Sequence, residues 1–128
     1  MTYFQAEDVL VSNIRPYFKK MWFATTAGGC NADVLCFRAL DKKYSYLLKS
    51  IIYQDSFFDY VMSGAKGTKM PRGDKTHIMQ YQVPCFSESQ LHKFNSLAST
   101  IERNQAQNHR EISALENAKE MLRATLSR

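Results

Sequence analysis

After Pro84 the sequence contains neither glycine nor proline, and no other feature restricts the fold of this chain so much. Such a stretch lacks the residues that break regular structure, so it can continue as one helix. Its start is marked by Ser87-Glu88-Ser89-Gln90, a hydroxyl followed three residues later by Gln, which has the form of a capping box. Leu91, Phe94, Leu97 and Ile101 then recur at steps of three and four residues, and Ile112, Leu115, Leu122 and Leu126 resume the stripe. The spacing predicts a helix from Glu88 to Leu126, about 58 Å long at 1.5 Å per residue. The eleven residues from Ile101 to Ile112 read as a four-residue slip of heptad phase, a stutter that would locally unwind a left-handed coil. A lone amphipathic helix leaves its stripe in water, so a partner helix is expected. Asn108 either lies on the seam, where a polar residue sets register at some cost in stability, or faces water where the stripe is interrupted.

Before Pro84 the composition is different: all five glycines lie there, with clusters of aromatic and β-branched residues. The reading is α+β (mixed α/β), with a domain over residues 1–84 and a helical region over 85–128. Asp8–Ser12, Lys20–Ala24 and Val34–Arg38 are strand candidates, and Tyr81–Val83 is a short last one. Pro16 bends the chain after the first strand, and Gly28-Gly29 reads as a tight turn. Asp41 is a candidate cap for a helix from Tyr44 to Tyr53 with Leu47, Leu48, Ile51 and Ile52 on one face. Asp55 is a candidate cap for a second helix carrying Phe57, Phe58 and Val61 and stopping at Gly64. Residues 64–73 read as a loop.

The 128 residues carry 17 Lys/Arg against 12 Asp/Glu, a net charge of +5. Eleven of the basic and seven of the acidic residues precede Cys85, so the positive field belongs to the first segment. An anionic partner is thereby favoured, without being identified. No apolar run approaches the roughly 20 residues that span a bilayer, and the first residues lack the basic start and apolar core of a signal peptide, so a cytoplasmic protein is expected. Cys30, Cys36 and Cys85 form no CxxC pair and read as free thiols, Cys36 as a small buried hydrophobe. His77, His92 and His109 stand at no metal-ligand spacing, so no metal site and no cofactor are expected. A nucleophile elbow, an HExxH motif and a suggestive carboxylate pair are all missing, and the chain is read as non-catalytic. Asp8 and Asp33, beside strands, read as turn or cap residues.

Two basic segments stand out. Asn13-Ile14-Arg15-Pro16-Tyr17-Phe18 superficially resembles the Asn-Pro-Pro-Tyr loop of amino-methyltransferases, but it lacks the adjacent prolines and no glycine-rich cofactor loop precedes it. Arg15, Lys19 and Lys20 have no acidic residue between them; they are either phosphate or base contacts or solvated charges beside a strand. In the loop, Lys66, Lys69, Arg72 and Lys75 face one acid, Asp74, and Thr68 adds a hydroxyl. This loop either holds phosphates, its glycines allowing close backbone approach, or is a surface loop whose glycines serve turns. It is no Walker loop, lacking Gly-Lys-Ser/Thr at the required spacing.

Taken in order, these segments resemble specificity subunits of type I restriction–modification enzymes. The similarity runs from Asp8–Lys20 through Gly28-Gly29-Cys30, Asp33–Arg38, Phe57–Met62 and Gly64–Asp74 to Val83-Pro84 and Ser87–Gln90. In that family a glycine commonly stands where this chain has Glu7. The resemblance implies a chain that begins partway through a target recognition domain, followed by one of the two conserved helices that form an antiparallel coiled coil. It implies double-stranded DNA as ligand, with a modification (methyltransferase) subunit and a restriction subunit as partners, and no catalysis by the chain itself. The DNA-contact candidates are Arg15, Lys19, Lys20, Lys66, Thr68, Lys69 and Arg72. The helix-partner candidates are Leu91, Phe94, Leu97, Ile101, Asn108, Ile112, Leu115, Leu122 and Leu126, with a second copy of the chain as one partner, giving a homodimer. The other expectation is an assembly and dimerisation module derived from such a subunit that does not read DNA.

Overall fold

A computed structural model describes residues 1–126 of the chain; the last two residues of the 85–128 segment lie outside the described residues. The fold is mixed α+β, with small antiparallel sheets followed by a long helix.

Strand β2 (Val9–Ser12) is the centre of a three-stranded sheet in the order β3-β2-β5, with β3 at Met21–Phe23 and β5 at Val34–Phe37. Side chains alternate across a strand, so Val9 and Val11 share one face and Leu10 takes the other. Register extends that division to the neighbours: Val9 lies opposite Phe23 and Phe37, and Val11 opposite Met21 and Leu35. This valine face meets Ile52, Phe57, Phe58, Val61 and Ile78 to form the core. On the other face Leu10 lies between Trp22 and Cys36, and Phe4 meets Trp22 edge-to-face at 5.6 Å.

The core's second layer comes from short helices. Asp41 caps a single 3₁₀ turn (Lys42–Tyr44) by accepting from the Lys43 N–H, and α1 (Ser45–Ile52) follows directly. Helix α2 (Asp55–Ser63) buries Phe57, Phe58 and Val61 and stops before Gly64. Its cap position is Gln54, not Asp55. Asp55 lies within the first turn, where a carboxylate suits the positive end of the helix dipole, and its side chain is drawn instead to Lys19.

Several further expectations need correction. Gly28-Gly29 is not a tight turn: β4 (Gly28–Cys30) pairs antiparallel with β1 (Thr2–Phe4), which sequence reading missed. Glycine is needed at position 28 because a Cβ there would fall 2.7 Å from the Phe4 ring. Tyr81–Val83 forms no strand; the Tyr81 N–H bonds back to the Ile78 carbonyl, and its ring packs 5.3 Å from that of Phe57. A four-residue helix, α3 (Lys75–Ile78), was hidden at the end of the basic loop, capped by Asp74 accepting from the Thr76 N–H.

Helix α4 spans Glu88–Leu126, 39 residues. The capping box closes reciprocally: the Gln90 N–H donates to Ser87 Oγ at 3.2 Å, and the Ser87 N–H to Gln90 Oε1 at 2.9 Å. By contacts the chain forms two compact units, Met1–Leu91 and the helix from His92 onward. Leu91, the last residue of the first unit, is buried. Among the described residues no helix is long and apolar enough to cross a membrane.

Candidate nucleic-acid interface

Between β2 and β3 the chain makes a tight turn built on proline. Pro16 supplies the fixed φ that opens a 3₁₀ turn (Pro16–Phe18) and is itself buried. The turn is bounded by Arg15 at φ 51° and Lys19 at φ 54°, both left-handed. A side chain in that region costs roughly 1–2 kcal/mol per residue, so neighbouring contacts must hold it there. They do so at both ends. The Arg15 N–H donates to the Pro71 carbonyl at 2.8 Å, and Lys19 Nζ reaches the Asp55 carboxylate on α2 at 2.6 Å. That carboxylate holds the Lys19 ammonium above its usual pKa.

The basic loop is fastened to this same turn. Buried Asn13 clasps Gly73 in both directions: its Nδ2 donates to the Gly73 carbonyl at 3.2 Å, and the Gly73 N–H donates to its Oδ1 at 3.1 Å. Ile14 forms an antiparallel bridge with Arg72, which in turn bridges Lys66 through two backbone hydrogen bonds of 2.9 Å. Gly67 turns the loop at φ 100°. A Cβ on Gly73 would lie 2.7 Å from Asn13 Oδ1, so this glycine permits a close approach within the chain itself. The two glycines thus serve the loop's own geometry.

Two segments far apart in sequence therefore share one surface, and Arg15, Lys66 and Arg72 belong to it. Three of the cationic candidates are ion-paired: Lys19 with Asp55, Arg72 with Asp33 at 3.1 Å, and Lys66 with Asp74 at 3.8 Å. All three pairs are partly solvated, so each contributes little to stability and remains exchangeable for another anion. Arg15, Lys20 and Lys69 are exposed and have no ion pair among the described residues. Thr68 is exposed at the loop tip. Asp33 lies in a turn, as expected, and is also the counter-charge of Arg72.

A buried polar cluster escaped sequence reading. Asp8, 1% exposed, accepts from the Gln5 N–H, from both Nε and Nη2 of Arg38 at 2.9 and 2.7 Å, and from the Cys36 thiol. Burial opposes the Asp8 charge, but these hydrogen bonds and the Arg38 charge outweigh it and hold the carboxyl below its ordinary value. Burial, reinforced by the bond to Asp8, pushes the Cys36 thiol up to about 11. Cys36 is thus a half-buried hydrogen-bond donor rather than a plain hydrophobe, kept protonated and poorly nucleophilic. The continuous apolar runs of β2 and β5 mark two strands, with Asp8 just before the first and Cys36 inside the second, yet they give no sign of this pairing.

The helix from His92 is a second candidate surface. Leu97, Ile101, Ile112, Leu115, Leu122 and Leu126 are 54–82% exposed. Phe94 is half-buried and Asn108 exposed. The helix is unbroken between the two apolar runs, and Phe94, Ile101, Asn108, Leu115 and Leu122 follow one another at seven-residue steps. Leu91, Ile112 and Leu126 occupy the companion row at multiples of seven. The eleven-residue gap is one heptad plus the ordinary four-residue step between rows, so the stutter is corrected to a continuous phase. Comparison with family models, curated proteins and solved structures finds no match to this chain.

Proposed function

We propose that this chain is a partial specificity subunit of a type I restriction–modification enzyme, contributing DNA contacts and a coiled-coil helix for assembly. The observation that carries the reading is the clasp between Asn13 and Gly73, which joins two basic segments 60 residues apart into one surface. Duplex DNA suits such a surface, because phosphate contacts come from Lys, Arg, hydroxyls and backbone N–H groups. Arg15, Lys20 and Lys69 supply the unpaired charge, and Lys19, Lys66, Arg72 and Thr68 line it. The ordered sequence resemblance supports the same reading. So does Glu7: its φ of 72° is the conformation that favours glycine, and glycine is what the family commonly has there.

On this reading the helix pairs with a second copy, or with its counterpart in a full-length subunit, and serves as the scaffold for modification and restriction subunits. An antiparallel arrangement fits its heptads. Ile101 of one copy then faces Ile112 of the other, and Gln105 faces Asn108, so these two polar positions share a layer, while Lys119 falls opposite Phe94. A parallel, in-register pair would set Glu111 beside Glu116 of the neighbour, two like charges at flanking positions.

The test is a salt-dependent titration of duplex DNA with Lys66, Lys69 and Arg72 changed to alanine. The expected outcome is weaker binding, with the salt slope reduced by about 0.9 for each phosphate that is no longer neutralised. An unchanged affinity and slope would remove the loop from the interface. A second reading, assembly without DNA reading, is favoured by the three ion pairs that partly neutralise the surface. It predicts sedimentation with a modification subunit but no DNA binding by the assembled particle.

A further inference from the structure

The 3₁₀ turn holds its two largest side chains out of the core. Tyr17 and Phe18 are 45% and 57% exposed, with ring centroids 4.7 Å apart and planes inclined by 51°. Beneath them Pro16 is buried, and the turn is tied at one end to Pro71 and at the other to Asp55. Two non-glycine residues accept left-handed backbone to make this display possible. Such conformations persist where surrounding contacts impose them, and they cluster at ligand sites.

The rim of the pair is cationic. Lys20 Nζ lies 5.9 Å from the centroid of the Phe18 ring and Arg15 adjoins the turn, both without an ion pair among the described residues, while Asp55 neutralises Lys19 at the turn's other end. Through the Ile14–Arg72 bridge the turn also borders the basic loop. An exposed aromatic pair inside a cationic rim presents the two chemistries that a nucleotide needs, a π-face for the base and positive charge for the phosphate. The inclined, non-parallel rings suit insertion at an opened base step better than a flat stacking platform.

We propose that Tyr17 and Phe18 form a base-contacting wedge that stacks on a base exposed at an unpaired or unstacked step of DNA, while Arg15 and Lys20 hold the flanking phosphates. The proposal rests on the DNA-contact reading above and adds to it a preference for locally opened duplex.

The experiment measures binding of the full chain to two short duplexes of one sequence, one fully paired and one carrying a single unpaired fluorescent adenine analogue. The wild-type chain should bind the second about tenfold more tightly and quench its fluorescence. The double variant Tyr17→Leu/Phe18→Leu keeps apolar bulk but loses both rings. It should bind the paired duplex with unchanged salt slope and lose both the preference and the quenching. Tyr17→Phe should retain both. Equal binding of the two duplexes by the wild-type chain overturns the wedge, as does a double variant that keeps the preference. A double variant whose sedimentation changes while its preference does not would make the pair a protein contact and also overturns the wedge. Failure of the wild-type chain to bind either duplex overturns the wedge and the DNA-contact reading together, whereas the other outcomes leave that reading standing.

Discussion

At the scale of single residues, the strongest electrostatic commitment is Asp8. Its carboxylate is buried and depends on Arg38, the Gln5 N–H and the Cys36 thiol. Removing one partner of a buried charge leaves the other uncompensated, although half-exposed Arg38 admits water to the gap. Arg38→Ala should therefore lower the urea-denaturation midpoint at neutral pH. The folded Asp8 pKa is depressed, so its contribution is fully present above the unfolded carboxylate value of about 3.9. That stability is lost as pH falls through the lower folded value. Denaturation midpoints should thus fall on the acid side, and Asp8→Asn should flatten that fall. An Asp8→Asn variant with the same acid dependence as the wild type would assign the effect to other carboxylates.

At the scale of elements, the clasp decides how loop and turn act together. Asn13 satisfies both polar groups of Gly73, and all of these groups are buried. Asn13→Ala should cost about 2–3 kcal/mol, because a buried N–H and a buried carbonyl lose their partner at once. Hydrogen exchange should show the Gly73 amide losing protection while the β2 and β5 amides keep theirs; equal loss in the sheet would mean global rather than local opening. Elements of this size were unevenly legible in the sequence. Val9–Val11 and Phe57–Val61 announce a strand and a helix because a short run of apolar and β-branched residues and helical spacing are local properties. Gly28–Cys30 does not announce a strand, because glycine has low β propensity and only the Phe4 ring across the ribbon explains its presence. Tyr81–Val83 has strand composition and forms none, its ring being taken up by Phe57 and Tyr60.

At the scale of the whole molecule, the association proposed above runs through the helix from His92. Its exposed stripe has a continuous heptad phase interrupted at Gln105, Asn108 and Lys119. A polar layer lowers the stability of a coil while restricting its register and orientation. Asn108→Leu should therefore raise the association constant of the full chain in analytical ultracentrifugation and permit larger or mixed-orientation assemblies. Weaker association in that variant would show that Asn108 does not lie in the seam.

The helix and its cap, the core strands and the positive excess before Pro84 were all determined by the sequence alone. Each depends on neighbours within a few residues or on a simple sum of charges. Tertiary structure alone decided that Asn13 meets Gly73 and that Asp8 binds Arg38 and Cys36. It also decided that Lys19, Lys66 and Arg72 spend their charge on Asp55, Asp74 and Asp33, and that Tyr17 and Phe18 stay outside the core. These are pairings between side chains whose separation along the chain does not encode their separation in space. They arise only once strand register and helix packing have placed each group against its partner.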